Sequence, residues 1–222
     1  MGPSRHGIPV PDGRHVPLAA ALLLAALAAA QAARARTIID EWNSIKTPPA
    51  PALHNVTVDP RTTALLVLDL VKPVCTTPYR PRCLATLPKV AKLLKEARAH
   101  HMLVIYSLVV VNKNTKAVLP AVAPLGNEPV VKGGPDKFLH TDLAQILKAH
   151  HITTIIPVGS AADGAVMYTA SHAALLGYRV LLPVDGMSSH LAYTEQYVAW
   201  NMSHAPVVSP HVTLTSIDRL RF

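Results

Sequence analysis

Apolar runs alternate with amphipathic stretches along most of the chain beyond residue 60. The run Thr63–Val71 (TALLVLDLV) is nearly all apolar and β-prone, which is typical of a strand buried on both faces. Apolar residues at helical spacing then predict a helix over Leu87–Ala99, with Pro88 in its first turn. The other predicted elements are strands over Met102–Val111, Ile152–Val158, Tyr178–Val184 and Val212–Ile217, helices over Thr141–His151, Ala162–Leu176 and Leu191–Ser203, and a long loop over Asn112–Pro135.

Strands separated by helices of this length predict parallel βαβ units. We therefore expect an α/β fold whose mostly parallel central sheet is covered by helices on both faces. In such sheets, sites gather beyond the carboxyl ends of the strands. Three features of the sequence fall there: Asp69, the loop that carries Lys132, and the strand-to-helix turn Gly159–Ala165.

The N-terminal segment has the pattern of a secretory signal peptide. Arginines and histidines up to His15 precede the apolar stretch Val16–Ala30, and A-x-A sites follow at 30–32 and 33–35. The apolar stretch is shorter than the roughly 20 residues of a membrane-spanning helix, although an uncleaved anchor and a buried core helix remain alternatives. We predict a signal peptide over 1–35, an extended lead-in over 36–60, one domain over 61–222, and a periplasmic or secreted mature protein with no stable membrane association.

Composition and charge limit the classes of ligand and partner that we expect for this chain. The chain has 222 residues, half of them hydrophobic, with a mean hydropathy of +0.28 and a formal charge of +8. The cations are scattered and have no interleaved aromatic residues, so we expect a small-molecule ligand and no nucleic acid. Export also affects how Cys75 and Cys83 are interpreted, because an oxidising compartment favours a disulfide across the short loop between them. Free thiols are the alternative.

The three strand-end features could form an acid/base site. Asp69 supplies a carboxylate, Lys132 an ammonium, and the turn that contains Ala161, Ala162 and Ala165 supplies backbone N–H groups able to bind an oxyanion. A structural ion pair beneath a loop would account for the same residues.

Five segments in order make the stretch from Thr63 to Ser189 resemble the isochorismatase-like hydrolases, a family that includes amidases. They are TALLVLDL, LLKEARAHHMLVIYS, K-GGPDK-F, GSAADGAVMYTA and HAALLGYRVLLPVDGMS. The resemblance implies a Rossmann-like three-layer sandwich, and it implies that the family's aspartate and lysine correspond to Asp69 and Lys132. It also implies a homo-oligomer.

The chain departs from the family at its nucleophile. The family motif G-x-x-T-x-x-C-V-x-x-T-A aligns with residues 159–170, where Ala162 replaces the threonine and Ala165 replaces the cysteine. A methyl group cannot attack a carbonyl, so covalent chemistry at position 165 is excluded. No Asp-x-His occurs between Asp69 and Lys132, and we predict neither a catalytic metal nor another cofactor.

Three hypotheses of function remain. The first is an exported hydrolase that cleaves an amide or vinyl ether through Asp69 and Lys132, since true isochorismatases in the family also lack the cysteine and use the aspartate as a general acid. The second makes Cys75 a displaced nucleophile. The third is a catalytically inactive protein that binds a small ligand in the same fold.

Overall fold

A computed structural model of the chain describes residues 36–111 and 114–222, so the predicted signal peptide lies outside the described residues. The chain divides into a unit that ends at Thr47 and a unit from Pro48 to Phe222. The described part of the first unit contains one short helix, α1 (Ile38–Glu41). Asp40 accepts hydrogen bonds from the backbone N–H and hydroxyl of Thr37, each 2.8 Å long, and this local cap makes the predicted lead-in helical rather than extended there.

The second unit is built around one large parallel sheet. Its strands lie in the order β4-β3-β2-β5-β6-β8, and a short strand, β7, pairs with β5. The strands are β2 (Thr63–Leu68), β3 (Leu103–Val109), β4 (Val130–Gly133), β5 (Thr154–Ser160), β6 (Arg179–Pro183), β7 (Met187–Ser188) and β8 (Val212–Thr215). A separate two-stranded sheet joins β1 (Val56–Thr57) to β9 (Leu220–Arg221), also in parallel. The predicted fold class is confirmed.

Helices cover both faces of the large sheet. One face carries α3 (Leu143–Ala149), α4 (Met167–Leu175) and α5 (Ala192–His204), and the other carries α2 (Pro81–Ala99). All six residues of β2 are buried, and the five from Ala64 to Leu68 alternate between the two apolar cores. This alternation explains why the strand is a continuous apolar run in the sequence.

Three boundaries differ from the sequence prediction for local reasons. Helix α2 begins at Pro81, so this proline takes the favoured first position and Pro88 lies inside the helix. Strand β4 lies within the predicted loop. It was not predicted because its four residues, between Pro129 and Gly134, are too short a run to show a strand pattern in the sequence. The predicted helix over Ala162–Leu176 opens with a π-helical turn, Ala162–Val166, and Gly164 takes a non-helical conformation there. No helix within the described ranges is long and apolar enough to cross a membrane.

Candidate active site

The candidate site lies at the carboxyl edge of the sheet, where β2 and β5 end side by side. Leu68, the last residue of β2, pairs with Gly159 of β5. Gly159 has a φ of +140°, and a Cβ placed on it would lie 2.0 Å from the carbonyl oxygen of Leu68. Glycine is required at this close approach. The arrangement brings Asp69 beside the turn that follows β5.

Asp69 is almost completely buried, with 4% of its surface exposed. Its φ of +52° is left-handed, a conformation that aspartate tolerates better than most residues. Its backbone N–H donates to Ser107 Oγ over 3.1 Å, and the Ser107 hydroxyl donates to Asp69 Oδ1 over 2.7 Å. Ser107 lies near the end of β3, so two neighbouring strands fix the carboxylate.

The second oxygen of this carboxylate faces a lysine. Lys137 Nζ lies 2.7 Å from Asp69 Oδ2, and the lysine side chain has no exposed surface. The same ammonium donates to the carbonyl oxygen of Gly133 over 3.3 Å, and the Lys137 backbone N–H donates to Thr169 Oγ1 over 3.1 Å. The lysine is therefore held by the end of β4 and by α4. Such a pair is tolerated in a protein interior only when its partners are well placed.

Lys137 takes the place that the sequence analysis assigned to Lys132. Lys132 lies on β4, where Val131 and Gly133 are buried while Val130 and Lys132 are exposed. Alternate residues of a strand face opposite sides, so the burial of Val131 leaves Lys132 in solvent. Lys132 is thus not the buried partner of Asp69, and in this structure Lys137 has that position.

The turn after β5 carries the position of the family nucleophile. Ala162 and Ala165 are buried, and Ala161 precedes them in an extended conformation after a cis peptide bond from Ser160. Within residues 36–111 and 114–222, no backbone carbonyl outside this helical turn accepts a hydrogen bond from the N–H groups of Ala162 and Asp163. Unpaired N–H groups are expected where a helix begins, and they can bind an anion or a developing oxyanion.

A disulfide closes the loop that follows Asp69. Cys75 and Cys83 are bonded, with their Cα atoms 5.3 Å apart, and both residues are buried. The predicted disulfide is therefore present in the structure. In this bonded form Cys75 has no thiol, and the hypothesis of a displaced cysteine nucleophile is not supported.

The same loop brings an arginine to the strand ends. Arg80 Nη1 donates over 3.3 Å to the hydroxyl of Ser160, which is the last residue of β5. Neither Arg80 nor Ser107 was predicted from the sequence as a site residue. Ser107 carries a signal of the same kind as Asp69, a polar residue near the end of an apolar strand, whereas the position of Arg80 depends on the folded loop.

No three His, Cys, Asp or Glu side chains come together in a metal-binding arrangement within the described parts of the chain. The groups that do come together are a carboxylate, an ammonium, a hydroxyl and free backbone N–H groups. This set can move a proton and stabilise negative charge on an oxygen.

The second unit is thus a parallel α/β sandwich with an Asp–Lys pair at its carboxyl edge, beside a helix-opening turn. The isochorismatase domain model matches residues 63–212. This match spans well over half of the chain, and the chain belongs to the isochorismatase family, a family of hydrolases. No curated protein sequence matches it closely enough to count as a relative.

Solved structures share the fold at low sequence identity. A cysteine hydrolase from Pseudomonas syringae pv. phaseolicola is 20% identical with a TM-score of 0.66, over 77% of this chain and 97% of that one. An isochorismatase-like hydrolase from Alkaliphilus metalliredigens is 20% identical with a TM-score of 0.64, over 71% and 96%. N-carbamoylsarcosine amidase from Thermoplasma acidophilum is 19% identical with a TM-score of 0.62, over 71% and 97%.

Proposed function

We propose that this chain is an exported hydrolase that cleaves a small acyl compound, such as an amide, through Asp69 and Lys137 and without a covalent cysteine. The observation that carries the proposal is the buried pair, with Lys137 Nζ 2.7 Å from Asp69 Oδ2 at the carboxyl edge of the sheet. Buried ion pairs contribute little net stability. A functional role therefore accounts for this pair better than a structural one.

Water is the nucleophile in this proposal, because position 165 is alanine and Cys75 is bonded to Cys83. Ser107 and Lys137 hold the two oxygens of Asp69 in place, and each oxygen keeps a second lone pair that can accept a proton. Asp69 takes one proton from water while the water oxygen bonds to the substrate carbonyl carbon. The N–H groups of Ala162 and Asp163 stabilise the resulting oxyanion.

The tetrahedral intermediate then re-forms its carbonyl group. The bond from carbon to the leaving group breaks, and the leaving group takes the proton held by Asp69. One water is consumed, one acyl bond is cleaved, and Asp69 returns to the carboxylate. A vinyl ether would instead need Asp69 to donate a proton first, which fits a carboxylate that accepts two hydrogen bonds less well.

Export is part of the proposal. The Cys75–Cys83 disulfide supports it, because disulfides persist mainly in oxidising compartments. Fractionation of cells that express the whole chain should recover the protein outside the cytoplasm in a form shortened at its N-terminus. Recovery of full-length protein in the cytoplasm would contradict export and leave the chemistry untouched.

The chemical proposal is tested by hydrolysis assays run with and without iodoacetamide. Turnover should be unchanged by the alkylating agent, since the proposed mechanism needs no thiol. Turnover should be lost in Lys137→Met and kept in Lys132→Met, a matched substitution on the exposed lysine. Inhibition by iodoacetamide, or loss of turnover only in Lys132→Met, would overturn it.

A second candidate function is a catalytically inactive protein that binds a small ligand in this fold. The alanine at position 165 favours it, since the nucleophile of the family is absent. The variant Ala165→Cys separates the candidates. In the proposed hydrolase the new side chain should impair or redirect existing turnover, whereas in an inactive protein turnover would appear only in the variant.

A further inference from the structure

The loop closed by the disulfide holds two arginines that have different surroundings. Cys75 and Cys83 are eight positions apart, and Cys83 lies in the first turn of α2. The loop is thus anchored at the start of a helix. Arg80 and Arg82 both extend from this anchored segment.

Arg82 is fully engaged with a carboxylate of the protein. Its Nε donates to Glu195 Oε1 over 2.8 Å, and its Nη2 contacts Glu195 Oε2. Such a two-point contact uses the planar geometry of both groups. Arg82 therefore ties the loop to α5.

Arg80 has no such partner. None of the salt bridges within residues 36–111 and 114–222 involves Arg80, and its Nε is buried without a hydrogen bond. Its Nη1 donates to Ser160 Oγ over 3.3 Å, and its guanidinium lies over the Tyr79 ring at 5.0 Å. A guanidinium has five N–H donors, so this one retains donors for a ligand.

A second buried polar group without a partner lies on the strand beside Ser160. Ser188 has no exposed surface, and its Oγ has no hydrogen-bond partner in the described part of the chain. Ser188 pairs with Ser160 in the parallel ladder of β7 and β5. Paired residues of adjacent strands direct their side chains to the same face, about 5 Å apart. The Ser188 hydroxyl therefore neighbours the Ser160 hydroxyl that Arg80 contacts.

This cluster adjoins the Asp69 site. Ser160 follows Gly159, whose ladder partner Leu68 directly precedes Asp69. Arg80 thus contacts the end of β5, and Asp69 follows the end of the neighbouring strand β2, at the same edge of the sheet. A substrate whose scissile group meets Asp69 can place a second group at Arg80.

We propose that Arg80, with Ser160 and Ser188, binds an anionic group on the substrate, so that the enzyme selects small acyl compounds that carry a carboxylate or phosphate. A guanidinium and hydroxyl donors match the oxygens of such groups. The disulfide and the Arg82–Glu195 contact hold the loop in the position that presents Arg80. This inference rests on the proposed function, whose substrate class it specifies.

Calorimetric titration of the purified oxidised protein tests the proposal without requiring turnover. The probes are succinamate, which is an amide with one carboxylate, its neutral analogue succinamide, and inorganic phosphate. Wild type should bind succinamate more tightly than succinamide. Arg80→Gln should weaken succinamate about 10- to 100-fold, the range expected for a lost hydrogen bond to a charged group. The affinity for succinamide should stay the same.

Arg61→Gln is the matched control, because it removes the same charge from an exposed arginine that pairs with Asp59 on the surface and has no part in holding the loop. It should leave the preference for succinamate unchanged. Arg80→Lys retains the charge without the planar fork, and it should bind succinamate with intermediate affinity even if Arg80→Gln does not fold. Binding of phosphate and not succinamate would assign the position to phosphate esters.

Measurable and equal affinity for succinamate and succinamide would overturn the inference, and so would an anion affinity that is unchanged in Arg80→Gln. So would the failure of wild type to bind either anion. Hydrolysis distinguishes this failure from failure of the proposed function. Selective binding of succinamate without any turnover would support the anion site and contradict the proposed hydrolysis. Equal turnover of both amides would support hydrolysis and contradict the anion site.

Discussion

Lys137 Nζ lies 2.7 Å from Asp69 Oδ2, and the two side chains are 0% and 5% exposed. The pair is therefore shielded from solvent, and removing one partner leaves the other charge uncompensated in the interior. This contact explains why Lys137, rather than the more exposed Lys132, is expected to matter for stability as well as for chemistry.

Lys137→Met is expected to lower the free energy of unfolding by about 3–5 kcal/mol, because it leaves Asp69 as a buried unpaired charge. Lys132→Met should change it by about 0.5 kcal/mol or less, as is usual for an exposed residue. Urea unfolding measures both values. The double variant Asp69→Asn with Lys137→Met should recover part of the loss. Equal effects of the two lysine substitutions would contradict the observed pairing.

Reduction of the Cys75–Cys83 bond is expected to lower the free energy of unfolding by about 2–3 kcal/mol, from the loop-closure entropy of a short loop. Thermal unfolding with and without a reductant measures the difference, with Cys75→Ala/Cys83→Ala as the control that should not respond. Titration of the denatured, unreduced protein should detect no free thiol. Detection of two thiols would show that the bond is absent in solution.

Gly159→Ala is expected to destabilise the protein by about 4 kcal/mol or more, because the added Cβ meets the backbone of Leu68 and the residue has a positive φ. Gly126→Ala is the matched control, since a Cβ there meets no atom within 4 Å. Its effect should be about 0.5 kcal/mol or less. Comparable unfolding midpoints for the two variants would contradict the close approach of β2 and β5.

Alkaline pH should destabilise the fold through Tyr106. Burial raises the pKa of the Tyr106 hydroxyl, which is 1% exposed and accepts a hydrogen bond from Arg98 Nη2. The folded state favours the neutral form of Tyr106. The contribution of this group to stability is therefore complete below about pH 10, the pKa of tyrosine in the unfolded chain, and it is lost as the pH rises above that value. Unfolding measured between pH 9 and 12 should show a steeper loss for wild type than for Tyr106→Phe. Identical pH profiles would contradict the prediction.

Much of the fold could be predicted because its central strands are buried on both faces. An element such as β2 has to be a continuous apolar run, and the helices between strands require parallel pairing. Strand β4 could not be predicted in the same way. It lies near the edge of the sheet with an alternating pattern only four residues long, and local sequence does not separate such a segment from a loop.

The site was predictable only in part, for a related reason. Asp69 stands out as a charge at the end of an apolar strand, and the turn at Ala165 aligns with a family motif. Lys132 and Lys137 lie five positions apart in one short segment, and sequence spacing does not determine which one is buried. That choice depends on the phase of β4 and on the contact between Lys137 and Thr169 of α4, which are tertiary properties.

The most direct test of the central claim is the rate of amide hydrolysis by purified wild type and by Asp69→Asn, with Asp218→Asn as the control. Asp218 is an exposed aspartate that pairs with Lys92 on the surface. Its substitution therefore makes the same change of carboxylate to amide at a position away from the site. We expect turnover by wild type and by Asp218→Asn, and a loss of about 100-fold or more in Asp69→Asn, as for a missing acid/base group. Turnover that survives Asp69→Asn, or none by wild type across amides, esters and vinyl ethers, would contradict the account.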